Sequence, residues 1–235
     1  SIKKNINNSA FIGGKDLIEF QKEFANFLKI KFCIGVANGT DALEIAIKSL
    51  DLKKGSEIIT TPRSYYTSAS SIINCGMKPK FIDISDDSQN LDASLIEKNI
   101  TKNTKALICV HLAGVPCDMH KIMKIAKRHK IFVIEDCSQA HGAKIKIKKV
   151  GSFGDLSIWS FCQDKIISTG GEGGMVGTNN TKLYNRILSI KDNGRNLLKL
   201  KKISYKGTFN YIHDFIGNNY RMTEMQAILG LTQLK

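Results

Sequence analysis

The chain lacks any apolar run approaching the length of a membrane span. Its start, Ser1-Ile2-Lys3-Lys4, lacks the apolar core of a signal peptide. None of its six cysteines forms a C-x-x-C pair, which argues against a zinc ribbon. Several of them sit inside apolar strand patterns, where a free cysteine behaves as a small hydrophobe, and a reducing, cytoplasmic setting is expected. The five histidines show no metal-ligand spacing with carboxylates or thiolates, so no metal is expected. A G-x-G-x-x-G run after the first strand is also missing. Asn38-Gly39-Thr40 supplies one glycine, which argues against a nicotinamide-binding domain. No internal repeat is evident. Acidic residues are scarce, 21 against 35 Lys and Arg, for a formal charge of +14. The lysines are scattered rather than gathered into the aromatic-interleaved stripe that nucleic acid asks for. The exceptions, Lys144–Lys149 and Lys199–Lys206, read as solvated loops. No nucleic-acid or membrane partner is expected, and the positive potential suits a small anionic ligand.

What is present is enough to bury a sizeable core: 235 residues, 42% hydrophobic and 24% charged. Leu17, Phe20, Phe24, Phe27 and Leu28 recur at helical spacing within Lys15–Leu28. Short apolar runs near residues 33, 58, 82, 107, 133, 158 and 176 read as seven strands. Helical segments lie between most of them: 42–50, 64–74, 92–99, 118–129 and, after the last strand, 183–190. This alternation predicts an α/β fold, a mostly parallel seven-stranded sheet with helices on both faces. The last strand follows a glycine-rich turn and is expected to be antiparallel. Residues 191–206 are polar and read as a mobile loop, and 223–234 as a further helix.

The chemistry concentrates in 131–176. The buried-strand run Ile131-Phe132-Val133-Ile134 ends in Glu135 and Asp136. A second short strand ends in Ser160, Lys165 follows, and then the loop Gly170-Gly171-Glu172-Gly173-Gly174. Ligands bind at the carboxyl ends of strands in open α/β sheets. A lysine and a carboxylate placed there suit pyridoxal 5'-phosphate (PLP): the amine holds the cofactor as a Schiff base and the acid keeps the ring nitrogen protonated. Lys165 and Asp136 fit those roles. Near the other end of the chain, Phe32–Val36, a turn at Gly39 and a following helix form a strand–turn–helix unit. That turn is open to two readings, a simple cap by Thr40 or Asp41 or an anion site on the helix N–H groups.

Four signatures stand in order: Glu135-Asp136-Cys137-Ser138-Gln139-Ala140-His141-Gly142, Gly151-Ser152-Phe153-Gly154-Asp155, Ser160-Phe161-Cys162-Gln163-Asp164-Lys165 and Gly171-Glu172-Gly173-Gly174. With them the chain resembles, over nearly its whole length, the PLP-dependent nucleotide-sugar aminotransferases of the DegT/DnrJ/StrS family. The resemblance implies the three-layer large domain of fold-type I enzymes. The match Gly39-Thr40-Asp41-Ala42-Leu43 implies that Gly39, Thr40 and Asp41 hold the PLP phosphate, with help from Ser160. It also implies that Tyr65 stacks on the cofactor ring and that Gln139 packs or bonds beside it. Arg63 departs from the aromatic more usual before this site. His111, at a strand end, has two readings, substrate contact or loop packing.

The segment Gly217–Met222 implies a homodimer in which Asn219, with Arg221 a second candidate, reaches the partner's phosphate. Residues 1–191 are expected to be the PLP-binding large domain. Residues 192–235 would be a loop and helix leading toward a smaller C-terminal domain that family members carry and this chain does not contain. The implied reaction moves an amino group, with glutamate as the donor by analogy, onto a nucleotide-linked keto sugar for surface polysaccharide or glycan synthesis. The runs 167–175 and 220–223 look most like the 4-keto branch. A sugar dehydratase of the same family would carry histidine in place of Lys165. The alternative from another class is a non-catalytic PLP-fold sensor or structural subunit.

Overall fold

The computed structural model describes residues 2–196 and 212–235. A short helix α1 (Ile2–Asn7) leads into α2 (Lys15–Leu28), whose periodic Leu17, Phe20, Phe24 and Leu28 are all buried. Strands and helices then alternate: β1 (Phe32–Val36), α3 (Gly39–Ser49), β2 (Glu57–Thr60), α4 (Thr67–Asn74), β3 (Lys78–Phe81), α5 (Ala93–Asn99), β4 (Thr104–Val110), α6 (Met119–His129) and β5 (Phe132–Asp136). A small hairpin, β6 (Lys144–Ile145) and β7 (Lys148–Lys149), precedes β8 (Leu156–Ser160) and β9 (Gly174–Thr178). Helices α7 (Thr181–Ile190) and α8 (Glu224–Gln233) follow.

The main sheet has seven strands in the order β1-β9-β8-β5-β4-β2-β3. The strands from β3 through β8 pair in parallel, each return being made by a crossover, and β9 is antiparallel to both β8 and β1. No helix lies between β8 and β9 to make a crossover, and the chain turns back antiparallel. The anticipated fold class is therefore the one observed.

Period-two alternation splits the strand residues between two faces. Ile34, Ile58, Ile108, Ile134, Ile158 and Val176 pack against α3 and α7. Ile59, Leu107, Cys109 and Val133 face α5 and α6. Cys33, Trp159 and Met175 face α2 and α8, where Phe24 meets Trp159 and Phe161 edge-on at centroid separations of 5.3 and 5.4 Å. Such aromatic pairs add about 0.5–1.5 kcal/mol each beyond their burial. Helices thus cover both faces, giving three layers.

Four local expectations need correction. Helix α3 begins at Gly39 rather than Ala42, because Asn38 caps it: its Oδ1 accepts from Asp41 N at 2.8 Å. Neither Thr40 nor Asp41 is the cap. Helix α4 begins at Thr67 rather than Ser64, since Thr61 Oγ1 and Pro62 O take the N–H groups of Arg63 and Ser64 in a turn. Lys144–Lys149, expected as a solvated loop, is solvent-exposed but paired as a β-hairpin. Lys191, expected in a solvated stretch, is buried with its ammonium donating to Gly35 O at 3.2 Å. The remainder of that stretch, from 197 on, lies outside the described residues.

Candidate active site at the carboxyl ends of the strands

Register and parity bring the site together. Asp136 pairs with Val110 on one side and Ile158 on the other. Asp136 shares its face with Ile134, and Ser160 with Ile158, the face covered by α3. Ser160 is therefore one period past the partner of Asp136 on the same face. The N-terminus of α3 presses on that spot. A Cβ placed on Gly39 would lie 2.7 Å from the Ser160 Cβ, so only glycine fits there. Gly174, opposite Ser160 and Val36, would likewise collide with Asn38 O if it carried a side chain. Two glycines thus let strand end, helix start and serine converge.

The Asp136 side chain is almost wholly buried, and one oxygen, Oδ1, accepts from Ser138 N at 3.0 Å. Its Oδ2 takes no backbone N–H among the described residues. Burial raises the Asp136 carboxyl, while the Ser138 side chain and N–H, and then the charge of Lys165, oppose the rise. A buried carboxylate with one oxygen free of backbone donors, in the field of a lysine, is a fitting counterpart for a protonated ring nitrogen. Lys165 is half-buried and rests on Asp164 Oδ2 at 2.9 Å. Its loop is fastened from several sides. Lys165 N donates to Cys162 O, Gln163 N to Gly171 O and Phe161 N to Gly173 O. Helix α8 adds Gln226 Nε2 to Glu172 O at 2.7 Å, and Gln233 Oε1 accepts from Ser168 N at 2.9 Å. These two glutamines are supports that a reading of the sequence had no means of pairing with the lysine loop.

At the start of α3, Gly39, Thr40 and Asp41 are half-buried. The N–H of Asp41 is occupied by the Asn38 cap, which leaves Gly39 and Thr40 as the first-turn donors for an anion. Burial and Glu44 push Asp41 up to about 6, partly offset by Asn38 and Lys48. A carboxyl that protonates that easily repels a neighbouring phosphate less. The residues present therefore fit a phosphorylated pyridine cofactor.

Other anticipated residues sit around this centre. Gln139 ties two strand-end loops together, its Oε1 accepting from Ala113 N at 2.8 Å. Tyr65 lies on the exposed turn after β2, edge-on to Tyr66. Asn219 is exposed and its Oδ1 accepts from Arg221 Nε at 2.8 Å, while Arg221 also pairs with Asp192.

His111 packs inside and does not face the site. Its Nε2 meets Glu135 Oε2 at 3.2 Å, and its Nδ1 accepts from Cys117 N at 3.0 Å, which places the proton on Nε2. Glu135 also accepts from Gly151 N, Phe153 N and Gly154 N at 2.7–2.8 Å. Ligand atoms of His111, Glu135 and Cys137 do lie within 4.8 Å of one another, a grouping that linear spacing could not reveal. The glutamate and histidine are already engaged in holding the 151–154 turn.

A family model described as the DegT/DnrJ/EryC1/StrS aminotransferase family matches residues 1–235. The chain belongs to that family. GDP-perosamine synthase of Escherichia coli O157:H7 is 42% identical over 222 residues, 94% of this chain and 58% of that protein. The solved aminotransferase from Psychrobacter cryohalolentis superposes with a TM-score of 0.95 at 42% identity, covering 99% of this chain and 60% of that one. NtdA from Bacillus subtilis, solved with its cofactor PMP bound, has a TM-score of 0.87 at 28% identity, covering 99% and 51%. The chain thus spans less than two thirds of the length of these relatives. Among the described residues no helix is long and apolar enough to cross a membrane.

Proposed function

We propose that the chain forms the cofactor-binding part of a PLP-dependent aminotransferase that converts a nucleotide-linked 4-keto sugar to an amino sugar, with glutamate as donor. The observation that carries this reading is buried Asp136, with one carboxylate oxygen free of backbone donors, on the same sheet face as Ser160 and the α3 start and within the electrostatic reach of Lys165. Residues 1–191 serve as the large domain and 192–235 lead toward a smaller one. When bound, the cofactor supplies a carbonyl that takes up amine nitrogen and a ring that stores an electron pair. Lys165 Nζ anchors it and moves the proton at the reacting carbon. Asp136 Oδ2 holds the ring nitrogen in its protonated form. The N–H groups of Gly39 and Thr40, with Ser160 Oγ, bind the phosphate, Asp41 lies in the same helix turn beneath it, Gln139 sits beside the ring and Tyr65 covers its outer face. The fit to GDP-perosamine synthase in sequence supports the 4-keto branch by analogy.

The test is mass spectrometry of the full-length enzyme with glutamate and a panel of 3-keto and 4-keto nucleotide sugars. Conversion of C=O to CH–NH2 on a 4-keto substrate is expected. Conversion confined to 3-keto substrates would overturn the positional reading. Cofactor absorbance without any amino transfer would point instead to a non-catalytic PLP-fold protein.

A further inference from the structure

A second concavity lies at the opposite end of the sheet. It has a volume of about 400 Å3, within the range of about 300–1,000 Å3 usual for small-molecule sites. Its lining includes Lys29, Lys144, Lys148 and Lys149, together with Ser152 and Asn179. Lys29 precedes β1 and Asn179 follows β9, whose Thr178 pairs with Phe32. The catalytic strand ends are at Val36 and Gly174, four residues away along the strands, roughly 13 Å. The two places are therefore separate.

No acidic residue lines the cleft. Among the described residues none of its four ammonium groups has a carboxylate within 4.0 Å. Two of them have neutral partners. Lys149 Nζ donates to Phe27 O at 2.6 Å and lies over the Phe27 ring, which makes it a cap for the end of α2. Lys148 Nζ lies 4.2 Å from the Phe153 ring centroid. Neither contact neutralises charge, and Lys29 and Lys144 have no such partner. Burial, then Lys144 and Lys29, hold the Lys149 ammonium below the usual lysine range. The hairpin thus brings like charges together on a folded frame, and a multivalent anion seated among them offsets their repulsion beyond what solvent and dilute salt do. Asn179, whose Oδ1 is taken by Lys31 N, keeps its amide N–H groups for such a guest.

We propose that this cleft binds a small multiply charged phosphate anion, a pyrophosphate or the polyphosphate of a nucleotide, apart from the catalytic site. A local, partly open concavity lined by four lysines suits one such group. A nucleic acid strand would instead ask for a groove continuing along the surface.

The test is calorimetric titration of the full-length, PLP-loaded enzyme with inorganic pyrophosphate and, in a separate arm, with a nucleoside diphosphate. Saturable binding of one equivalent per chain is expected, weakened by added salt. The double substitution Lys144→Gln, Lys148→Gln should weaken it about tenfold or more. Lys144→Arg, Lys148→Arg should retain it, which separates loss of charge from loss of fold. Absence of binding at millimolar pyrophosphate would overturn the proposal. So would equal affinity in the glutamine variant.

Discussion

Glu135 and Asp136 are neighbours with opposite duties. Strand alternation turns Glu135 away from the site, where four donors engage it, and leaves Asp136 facing α3 with one oxygen free of backbone donors. Asp136→Asn should therefore leave the fold intact and strongly lower amino transfer. The amide cannot hold a positive ring nitrogen, and each unit of lost basicity there corresponds to about 1.4 kcal/mol. Steady-state turnover beside far-ultraviolet circular dichroism checks this; near-normal turnover in the variant would remove Asp136 from the role. His141 offers a different kind of residue-scale test. It is buried against Trp159 and Phe161, neither ring nitrogen has a hydrogen-bond partner, and burial lowers it from 6.5 to about 4. The folded chain therefore binds that proton less readily than the unfolded chain. Stability carried by neutral His141 is complete above pH 6.5 and is lost as pH falls from there toward 4, by roughly 3 kcal/mol at most. His141→Phe keeps the aromatic packing and removes the proton. Thermal melts from pH 7 to 4 should show a flatter acid limb in the variant, and parallel profiles would refute the assignment.

Among elements, helices α2 and α8 are joined through one carboxylate. Glu224 is buried, and its two oxygens accept from Gly14 N, Asp16 N and Leu17 N at 2.9, 3.0 and 3.2 Å, so a residue of α8 caps the start of α2. Removing it with Glu224→Ala leaves three donors unpaired and should cost about 2–4 kcal/mol. Denaturant unfolding reads that directly, and a loss below half a kcal/mol would show that water substitutes for the carboxylate. Nothing in the sequence pointed to this contact, because its partners are about two hundred positions apart. The same reason hid Glu135 as an anchor of 151–154, and Lys191 as a buried donor to β1. What could be read was local: apolar runs at β1, β5 and β8, the periodic face of α2, and the residues at strand ends. The start of α3 was misplaced by three positions because Asn38, a good cap in its own right, stood one residue before the glycine that drew attention. Parity then did what propensity could not, placing Asp136 and Ser160 on one face once the register was known.

At the scale of the whole molecule, residues 219–221 lie against the edge of the sheet. Arg221 bridges to Val36, Asn219 to Asp192, and Tyr220 N donates to Lys191 O. These contacts hold Asn219 at the surface, near the end of β1 and the turn at Gly39, with its side chain exposed. From that place it can serve its own chain or a second copy. The expectation is a homodimer in which the partner's phosphate takes the Asn219 amide, a donor that adds no charge to a site already containing Asp41. A closed two-fold arrangement is also the commonest oligomer. Mixing full-length chains carrying Lys165→Ala with chains carrying Asn219→Leu tests it. Each variant alone should be nearly inactive, because one lacks the amine at every site and the other lacks the amide. In a mixed dimer one of the two sites would combine a good lysine with a good asparagine, so a mixture at equal concentrations should regain on the order of a quarter of wild-type activity under random exchange. Subunit exchange followed by fluorescence transfer between labelled chains establishes that mixed dimers form. If they form and no activity returns, Asn219 acts within its own chain or outside the site altogether.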